Sequence, residues 1–224
     1  MTEKKTLGMY ESFVRSGRET RSTHFCAGCG HGIILKLVAE AMAEMGLQDR
    51  MIIVNPIGCG VFGYYYGDCG NIGAAHGRAS AVGSAVNRVR RDAVTLVYQG
   101  DGDLGAIGFN QLIQAANRGE NMAVFFVNNA IYGMTGGQMA PTTLPGQKTM
   151  TSPFGRSSAN EGLPLKVSET VAALDSPVYV ERTALSTVRN IMTARQAVRR
   201  ALTYTIEKKG FSLVEFLSGC PINL

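Results

Sequence analysis

The chain has 224 residues, of which 45% are hydrophobic and 17% charged, and its net charge is +5. These values exclude a disordered chain and describe one folded domain with a full hydrophobic core. The basic residues form no run longer than Arg199-Arg200 or Lys208-Lys209, so no nucleic-acid-binding stripe is predicted.

The N-terminal segment, residues 1–22, is polar and lacks the apolar core of a signal peptide. No apolar run in the chain approaches the length that spans a membrane. We therefore predict a cytoplasmic protein that does not insert into a membrane. Residues 1–22 are expected to form an extended arm on a single domain that comprises residues 1–224.

A C-x-x-C pair, Cys26 and Cys29, lies in a Gly-rich turn before a helix predicted for residues 33–45. Five cysteines in a reducing compartment favour metal or redox chemistry over disulfides. The pair alone is compatible with a thioredoxin-like motif, half of a zinc site, half of an iron–sulfur site or no function. Zinc usually needs a second C-x-x-C or paired histidines, and the sequence has neither.

The other three cysteines stand alone in the sequence. Cys59 follows a strand predicted for residues 51–54, and Cys220 follows the final strand, predicted for residues 211–217. A proline comes after Cys220, and Cys-Pro often ends a run of iron–sulfur ligands. Two ligands from one turn and two from strand ends would form a Cys₄ site for a [4Fe–4S] cluster. Cys69 is interpreted as a small buried residue.

An aromatic run, Tyr64 to Tyr66, precedes a second helix of small residues. The run is interpreted as a subunit or cofactor wall, with core packing as the commoner alternative. His76-Gly77-Arg78 opens the helix, and a helix start with His and Arg beside it favours an anion site. The alternative for His76 is a loop histidine whose hydrogen bonds are satisfied.

The centre of the chain reads as one βαβ unit. A buried strand is predicted for residues 94–98, followed by a GDGD turn at 100–103, a helical run, and a second strand at 122–127 that ends on Asn128-Asn129. Such a crossover makes the strands parallel neighbours, so their carboxyl ends share one edge of the sheet. Asp101 and Asn129 are therefore expected to meet at that edge.

The residue types at this edge indicate its ligand. Asp and Asn side chains and free carbonyls are hard oxygen ligands for Mg²⁺ or Ca²⁺. Gly100, Gly102 and the helix start let backbone N–H groups approach an anion. We therefore predict a metal-bridged diphosphate site, the alternative being a β-turn and a loop cap.

The remainder of the chain continues the alternation. Residues 136–156 form a long loop without periodicity, interpreted as a lid or a docking loop. A short helix opened by Pro164, a strand at 178–181 and a helix at 188–207 lead to the final strand. These elements predict an α/β fold with a mostly parallel sheet and helices on both faces.

The GDG…NN pattern resembles the diphosphate-binding motif of thiamine-diphosphate enzymes. The continuation NNAIYGMTGGQMAPTT resembles the β subunit of 2-oxoacid:ferredoxin oxidoreductases, especially the 2-oxoisovalerate (branched-chain) type. The resemblance implies a thiamine-diphosphate-binding (diphosphate-domain) fold, with thiamine diphosphate, Mg²⁺ and a [4Fe–4S] cluster as cofactors. The implied metal ligands are Asp101, Asn129 and the Ile131 carbonyl for Mg²⁺, and Cys26, Cys29, Cys59 and Cys220 for the cluster. The residues expected to contact the cofactor are Gly100, Asp101, Gly102, Asp103, Asn129, Ile131, Gly133, Met134, Thr135, Cys59, His76, Gly77 and Arg78.

The implied reaction is oxidative decarboxylation of a 2-oxo acid to an acyl-CoA and CO₂, with electrons passed through the cluster to ferredoxin. No catalytic residue is assigned in this chain, because the glutamate that activates the cofactor is expected on an α subunit that carries the pyrimidine domain. Further partners implied are γ and ferredoxin-like δ subunits and coenzyme A. Many family members carry a basic residue just after the third cysteine, whereas this chain has Gly60-Val61-Phe62, so no catalytic Lys or Arg is predicted there.

Several alternatives remain open at this point. The branched-chain substrate is favoured over 2-oxoglutarate because the stretch from Val127 to Arg156 most resembles that type. A dicarboxylate would need a second cation in the pocket, for which Lys148 is the candidate in the long loop. Three other classes are a thiamine-diphosphate enzyme without a cluster, a nucleotide-binding regulatory protein and a non-catalytic iron–sulfur electron carrier. The four cysteines argue against the enzyme without a cluster. The absence of a G-x-x-x-x-G-K-[ST] loop argues against the nucleotide-binding protein, and the Asp101/Asn129 pair argues against the electron carrier.

Overall fold

The computed structural model of the chain describes residues 8–10 and 23–222. Most of the arm predicted for residues 1–22 therefore lies outside the described residues. Within it, Met9 forms an antiparallel bridge with Gly67, and the backbone N–H of Tyr10 donates to the Tyr66 carbonyl over 3.0 Å. This short stretch of the N-terminal segment lies along the turn that follows the aromatic run.

Eight strands are present in the described residues: β1 (Met51–Asn55), β2 (Gly70–Gly73), β3 (Val94–Gly100), β4 (Ala123–Asn128), β5 (Ile131–Tyr132), β6 (Gln138–Met139), β7 (Tyr179–Ala184) and β8 (Ser212–Leu217). Six of them form one parallel sheet in the order β2-β1-β3-β4-β8-β7. β5 and β6 form a separate antiparallel pair. Since β3 and β4 are parallel neighbours, their carboxyl ends lie side by side, as a βαβ crossover requires.

The helices lie on both faces of the sheet. They are α1 (Gly30–Glu44), α2 (Ala79–Val89), α3 (Phe109–Asn117), α4 (Val167–Ala172) and α5 (Val188–Ile206). α1 and α5 contribute to one hydrophobic cluster, and α2, α3 and α4 contribute to another. Adjacent residues of β4 show the division, since Phe125 belongs to the first cluster and Phe126 to the second. The predicted α/β fold with a mostly parallel sheet is confirmed.

Two parts of the structure differ from the pattern predicted by the sequence. β2 was not predicted, because its sequence GNIG has neither alternation nor β-branched runs apart from Ile72. The turn after β3 continues as a π-helical segment, Asp101–Ile107, before regular α-helix begins at Phe109. Wider helical turns of this kind are frequent at functional sites.

The long loop at 136–156 is held by one buried cation. The Arg156 guanidinium donates to the carbonyls of Ala140, Pro141 and Thr143 on one side and of Gly162 and Leu163 on the other, over 2.8–3.3 Å. Each donor of the planar group thus meets a backbone acceptor. Among the described residues, no helix combines the length and the apolar character needed to cross a membrane.

Candidate functional site

A cavity of about 370 Å³ lies at the carboxyl ends of β1, β3 and β4. Most of the residues predicted to contact a cofactor line it: Cys59, His76, Gly100, Asp101, Gly102, Asp103, Asn129, Ile131, Gly133, Met134 and Thr135. Gly77 and Arg78 do not. The N–H of Gly77 is used within the protein, and Arg78 is exposed. The sheet edge chosen from the βαβ pattern is therefore where the cavity forms.

The turn after β3 approaches neighbouring groups closely at Gly102. A β-carbon at this position would lie 2.9 Å from the ring of Tyr132, closer than real β-carbons come. A β-carbon at Gly133 would likewise lie 2.8 Å from the Cys220 sulfur. Glycine at these two positions lets the β3 turn and the segment after β5 pack together around the cavity.

Asp101 is almost fully buried at the edge of this cavity. One carboxylate oxygen accepts the N–H of Asn129 over 3.1 Å, and the other accepts the N–H of Ile131 over 3.1 Å and the Thr142 hydroxyl over 2.8 Å. Burial nevertheless raises the pKa of Asp101 to about 7, against the opposing effect of these donors. The site therefore holds a carboxylate whose negative charge the protein only partly compensates.

The end of the Asn129 amide lies between two acceptors beside Asp101. It is 2.7 Å from the carbonyl oxygen of Ile131 and 3.3 Å from Oδ2 of Asp101, and with its nitrogen at this end the amide donates to both. A cation at this point would require the amide to turn end for end and present its oxygen. Carboxylate, amide and carbonyl oxygens are the donor set that Mg²⁺ prefers, so these residues fit such an ion.

The backbone between Asn129 and Ile131 is held in an unusual conformation. Ala130 has φ of 61°, in the left-handed region that residues with a β-carbon rarely adopt. The Asn128 side chain accepts the Ala130 N–H over 3.2 Å, and Thr143 donates to the Ala130 carbonyl over 2.6 Å. This conformation directs the Asn129 side chain and the Ile131 carbonyl to one point.

Asp103, two residues after Asp101, has a different environment. One of its oxygens accepts His76 Nδ1–H at 2.7 Å, Gly77 N–H at 2.9 Å and Ile57 N–H at 3.2 Å, and the other accepts the Gln99 amide at 2.6 Å. The carboxylate therefore ties the ends of β1 and β3 to the turn before α2. It also leaves Nε2 of His76 as the ring's free nitrogen in the neutral tautomer.

Four of the five cysteines lie near one another. Burial raises the pKa of Cys59 to about 11, with further contributions from the charges of Cys29, Cys220 and Cys26. Burial also raises the pKa of Cys29, and the charges of Cys26 and Cys220 add to that rise. Cys69 is separate, since burial and Asp68 raise its pKa to about 12 without a contribution from another cysteine. The thiols that the sequence grouped are thus brought together, and Cys69 is not among them.

Within the part of the chain that the structure describes, no three His, Cys, Asp or Glu side chains converge closely enough to hold one metal ion. This finding concerns a single ion. The thiolates that hold a [4Fe–4S] cluster bind different iron atoms, so they surround a larger volume. The donor type and grouping of the four cysteines are compatible with such a cluster.

The aromatic run does not line the cavity. Tyr65 stacks on His24 with ring centres 4.5 Å apart, and the Tyr66 hydroxyl lies 2.6 Å from Nδ1 of His24. These contacts hold the segment before Cys26 instead. The run therefore supports the cysteine turn and forms no cavity wall.

Sequence reasoning missed three residues of the site. His31 lines the cavity beside Cys59, and burial lowers its pKa to about 4. Gln99 donates to Asp103, and Thr142 donates to Asp101. His31 directly follows the C-x-x-C-Gly turn, which was a usable signal, whereas nothing in the local sequence marks Gln99 or Thr142.

Three comparisons place the chain among known proteins. Residues 61–216 match the family model described as thiamine pyrophosphate enzyme, C-terminal TPP binding domain. The ketoisovalerate oxidoreductase subunit VorA of Methanothermobacter thermautotrophicus is 53% identical over 100% of this chain and 48% of its own length. The 2-oxoglutarate synthase subunit KorB of Archaeoglobus fulgidus is 35% identical over 95% of this chain and 74% of its own length. The chain thus spans about half the length of the ketoisovalerate relatives it matches.

A solved structure gives the same fold. The 2-oxoglutarate:ferredoxin oxidoreductase from Magnetococcus marinus, with 2-oxoglutarate, coenzyme A and succinyl-CoA bound, superposes with a TM-score of 0.78 at 28% identity. The match covers 92% of this chain and 67% of that one. The expected thiamine-diphosphate-binding fold is confirmed.

Proposed function

The chain belongs to the thiamine pyrophosphate enzymes, in the group of 2-oxoacid:ferredoxin oxidoreductase subunits, and we propose that it is the β subunit that holds the diphosphate end of the cofactor. The proposed reaction is oxidative decarboxylation of a 2-oxo acid to an acyl-CoA and CO₂, with electrons passed through a [4Fe–4S] cluster to ferredoxin. The observation that carries this proposal is that the Asp101 carboxylate, the Asn129 amide and the Ile131 carbonyl converge at the cavity that the cysteine group borders.

The oxygens of Asp101, Asn129 and Ile131 are proposed to hold Mg²⁺, which in turn holds the diphosphate. A divalent cation would compensate the carboxylate that burial leaves poorly stabilised. Gly100 leaves open space above the turn, where a β-carbon would find its nearest neighbour only at 3.9 Å, so a phosphate could approach the backbone. Bound thiamine diphosphate supplies the nucleophilic carbon and the electron sink that decarboxylation requires.

Cys26, Cys29, Cys59 and Cys220 are proposed as the four ligands of the cluster. Two contacts connect this group to the cavity: Cys59 is part of the lining, and the Cys220 sulfur packs against the backbone of Gly133. Electrons released in the cavity would then have an acceptor directly behind its wall. This connection favours a redox enzyme over a thiamine-diphosphate enzyme without a cluster.

A partner subunit is proposed to cover the cavity. Three apolar side chains of its lining are partly exposed: Ile57 (43%), Ile107 (51%) and Met134 (46%). The carboxylates among the described lining residues are Asp101 and Asp103. Asp101 is assigned to Mg²⁺, and Asp103 accepts hydrogen bonds from within the protein. The glutamate that activates the cofactor is therefore proposed on an α subunit with the pyrimidine domain, in an assembly that includes γ and ferredoxin-like δ subunits.

The substrate is proposed to be a branched-chain 2-oxo acid such as 2-oxoisovalerate. The described lining contains no Lys or Arg, and Lys148 is an exposed residue outside it, so the lining offers no full positive charge to a second carboxylate. Its apolar members suit a branched side chain. The ketoisovalerate name of the 53% identical relative supports this choice, whereas the 2-oxoglutarate names of the other relatives support the alternative.

The test is turnover by the assembly expressed with its partner subunits under anaerobic conditions. Coenzyme A-dependent reduction of a viologen dye is measured with branched-chain 2-oxo acids, pyruvate and 2-oxoglutarate. We expect the highest kcat/KM with the branched-chain acids and no turnover by this chain alone. A higher kcat/KM with 2-oxoglutarate would show that 2-oxoglutarate is the substrate. Full activity of the isolated chain would show that no partner subunit is needed.

The cluster ligands are tested with single serine replacements. Iron content and the paramagnetic spectrum of the reduced protein are expected to change for Cys26→Ser, Cys29→Ser, Cys59→Ser and Cys220→Ser. Cys69→Ser is the matched control, because its thiol is half-buried but lies apart from the others. Loss of iron in the control together with full iron in Cys220→Ser would refute the ligand set.

A further inference from the structure

His31 is a buried histidine in the first turn of α1, only 3% exposed, and what exposure it has opens on the cavity. Its ring stacks on Phe25 with centres 5.6 Å apart, and its Nδ1 lies 2.8 Å from the Tyr98 hydroxyl. No carboxylate contacts it among the described residues. The contacts with Phe25 and Tyr98 fix the ring in position.

Tyr98 decides which ring nitrogen of His31 carries a hydrogen. The Tyr98 side chain is fully buried, and its hydroxyl has no hydrogen-bond partner in the described structure other than Nδ1 of His31. If Nδ1 carried the hydrogen, the tyrosine hydrogen would be left buried without an acceptor, which is unfavourable. The favourable arrangement has Tyr98 donating to a bare Nδ1. The hydrogen of the imidazole is then on Nε2.

The second ring nitrogen is available to a ligand. Nε2 of His31 makes no hydrogen bond with the described residues, and it is not among the enclosed side-chain atoms that lack a partner. It therefore opens on the cavity as an N–H donor. His76, at the same cavity, differs from His31 because a carboxylate, Asp103, accepts its Nδ1–H.

We propose that Nε2–H of His31 donates a hydrogen bond to an oxygen of the 2-oxo acid in the cavity, with Tyr98 as the positioning residue that sets the tautomer. The inference rests on the proposed function. The carboxylate and oxo oxygens of such an acid only accept hydrogen bonds, and the cavity carboxylates cannot donate to them. His31 supplies a donor at this place and would therefore orient the acid.

The tautomer is tested first, with a readout that needs no turnover. Nitrogen NMR of the full chain labelled at histidine should show one ring with a bare Nδ1 and a protonated Nε2, and this signal should disappear in His31→Gln. In Tyr98→Phe the Nδ1 resonance should shift, because its donor is gone. Tyr204→Phe, which removes a tyrosine hydroxyl on α5, is the matched control and should change nothing. A protonated Nδ1 in the wild-type chain would overturn the proposal.

The contact with substrate is tested in the assembly. His31→Phe should lower kcat/KM for the 2-oxo acid by about 10–100-fold, the value of one hydrogen bond to a charged group. His31→Gln keeps an N–H at a similar reach and should recover most of that loss. KM for coenzyme A and the spectrum of the reduced cluster should stay unchanged in both variants.

Two results would overturn the proposal: wild-type kcat/KM in His31→Phe, or a reduction potential of the cluster that shifts while kcat/KM does not. The second result would place the donor on the cluster. If the wild-type assembly turned over none of the 2-oxo acids, the proposed function itself would be refuted. In that case the NMR result would still decide the tautomer, so the two failures are distinguishable.

Discussion

Asp101 and Asp103 lie in the same turn after β3, and both are almost fully buried, yet they have different surroundings. Asp103 meets only donors, and they come from three separate parts of the chain: Ile57, His76 with Gly77, and Gln99. Asp101 meets donors as well, but one of its oxygens also shares the end of the Asn129 amide with the Ile131 carbonyl.

The comparison indicates how a structural carboxylate differs from a ligand-binding one. Donors within the protein satisfy Asp103 completely, so it joins elements together. Asp101 shares its site with the Asn129 amide and the Ile131 carbonyl, and a cation could bind all three once the amide presents its oxygen. The same split occurs at Asn128 and Asn129. Asn128 bonds to Glu215 and to the Ala130 N–H, whereas Asn129 faces the converging oxygens.

The largest effect is expected from Asp103→Ala, which leaves four donors without their acceptor, and the Gly77 and Gln99 donors among them are buried. We expect the free energy of unfolding to fall by about 3–5 kcal/mol, as for other broken buried networks. Denaturant unfolding measures this change. The control is Asp92→Ala, which removes an exposed carboxylate and should leave the unfolding midpoint almost unchanged. Equal midpoints for the two variants would contradict the structural role.

Asp101→Asn should have the opposite effect, because it should weaken cofactor binding and leave the stability almost unchanged. The charge is lost while the shape is kept, so Mg²⁺-dependent binding of thiamine diphosphate should weaken by about 100-fold or more. Replacing a residue that only orients a metal ligand costs about 10–100-fold, and a ligand itself should cost at least as much. Calorimetric titration with cofactor and Mg²⁺ measures it. The free energy of unfolding without cofactor should hardly fall, because burial already disfavours this carboxylate. Wild-type affinity in this variant would refute the metal site.

Thr142→Val tests how the Asp101 carboxylate is held in position. The replacement keeps the shape of the side chain but removes the hydroxyl that donates to Asp101 over 2.8 Å. Affinity for Mg²⁺ with the cofactor should fall about 10-fold, the lower end of the range for partners that orient a metal ligand. The same titration measures this change, and an unchanged affinity would show that the backbone N–H groups alone orient the carboxylate.

Ser80→Ala is the corresponding change on the Asp103 side and is expected to have the smallest effect. The Ser80 hydroxyl donates to Gln99 over 2.8 Å, and Gln99 in turn donates to Asp103. The free energy of unfolding should fall by about 1 kcal/mol, the net value of one hydrogen bond. Cofactor affinity should match the wild type. A larger loss of affinity than of stability would mean that Asp103 also acts on the ligand.

Much of the fold could be predicted because its signals are local. Apolar runs predict β1, β3, β4 and β8, and the crossover rule places the ends of β3 and β4 together, so the sequence alone predicts that Asp101 and Asn129 meet at one edge. Family resemblance added the cysteine group and the cofactor. The sequence does not predict elements without a local signal, such as β2 and the π-helical form of the segment after Gly100.

The sequence by itself determined which chemical groups reach the carboxyl edge of the sheet, because strand periodicity and the handedness of crossovers depend on near neighbours. Only the tertiary structure decided what each group does there. Asp101 and Asp103 read alike in the GDGD turn, and their roles separate through partners up to 46 residues away. His31 and Tyr98 meet across 67 residues. Such pairs arise from packing between elements, where distance in space is independent of distance along the chain.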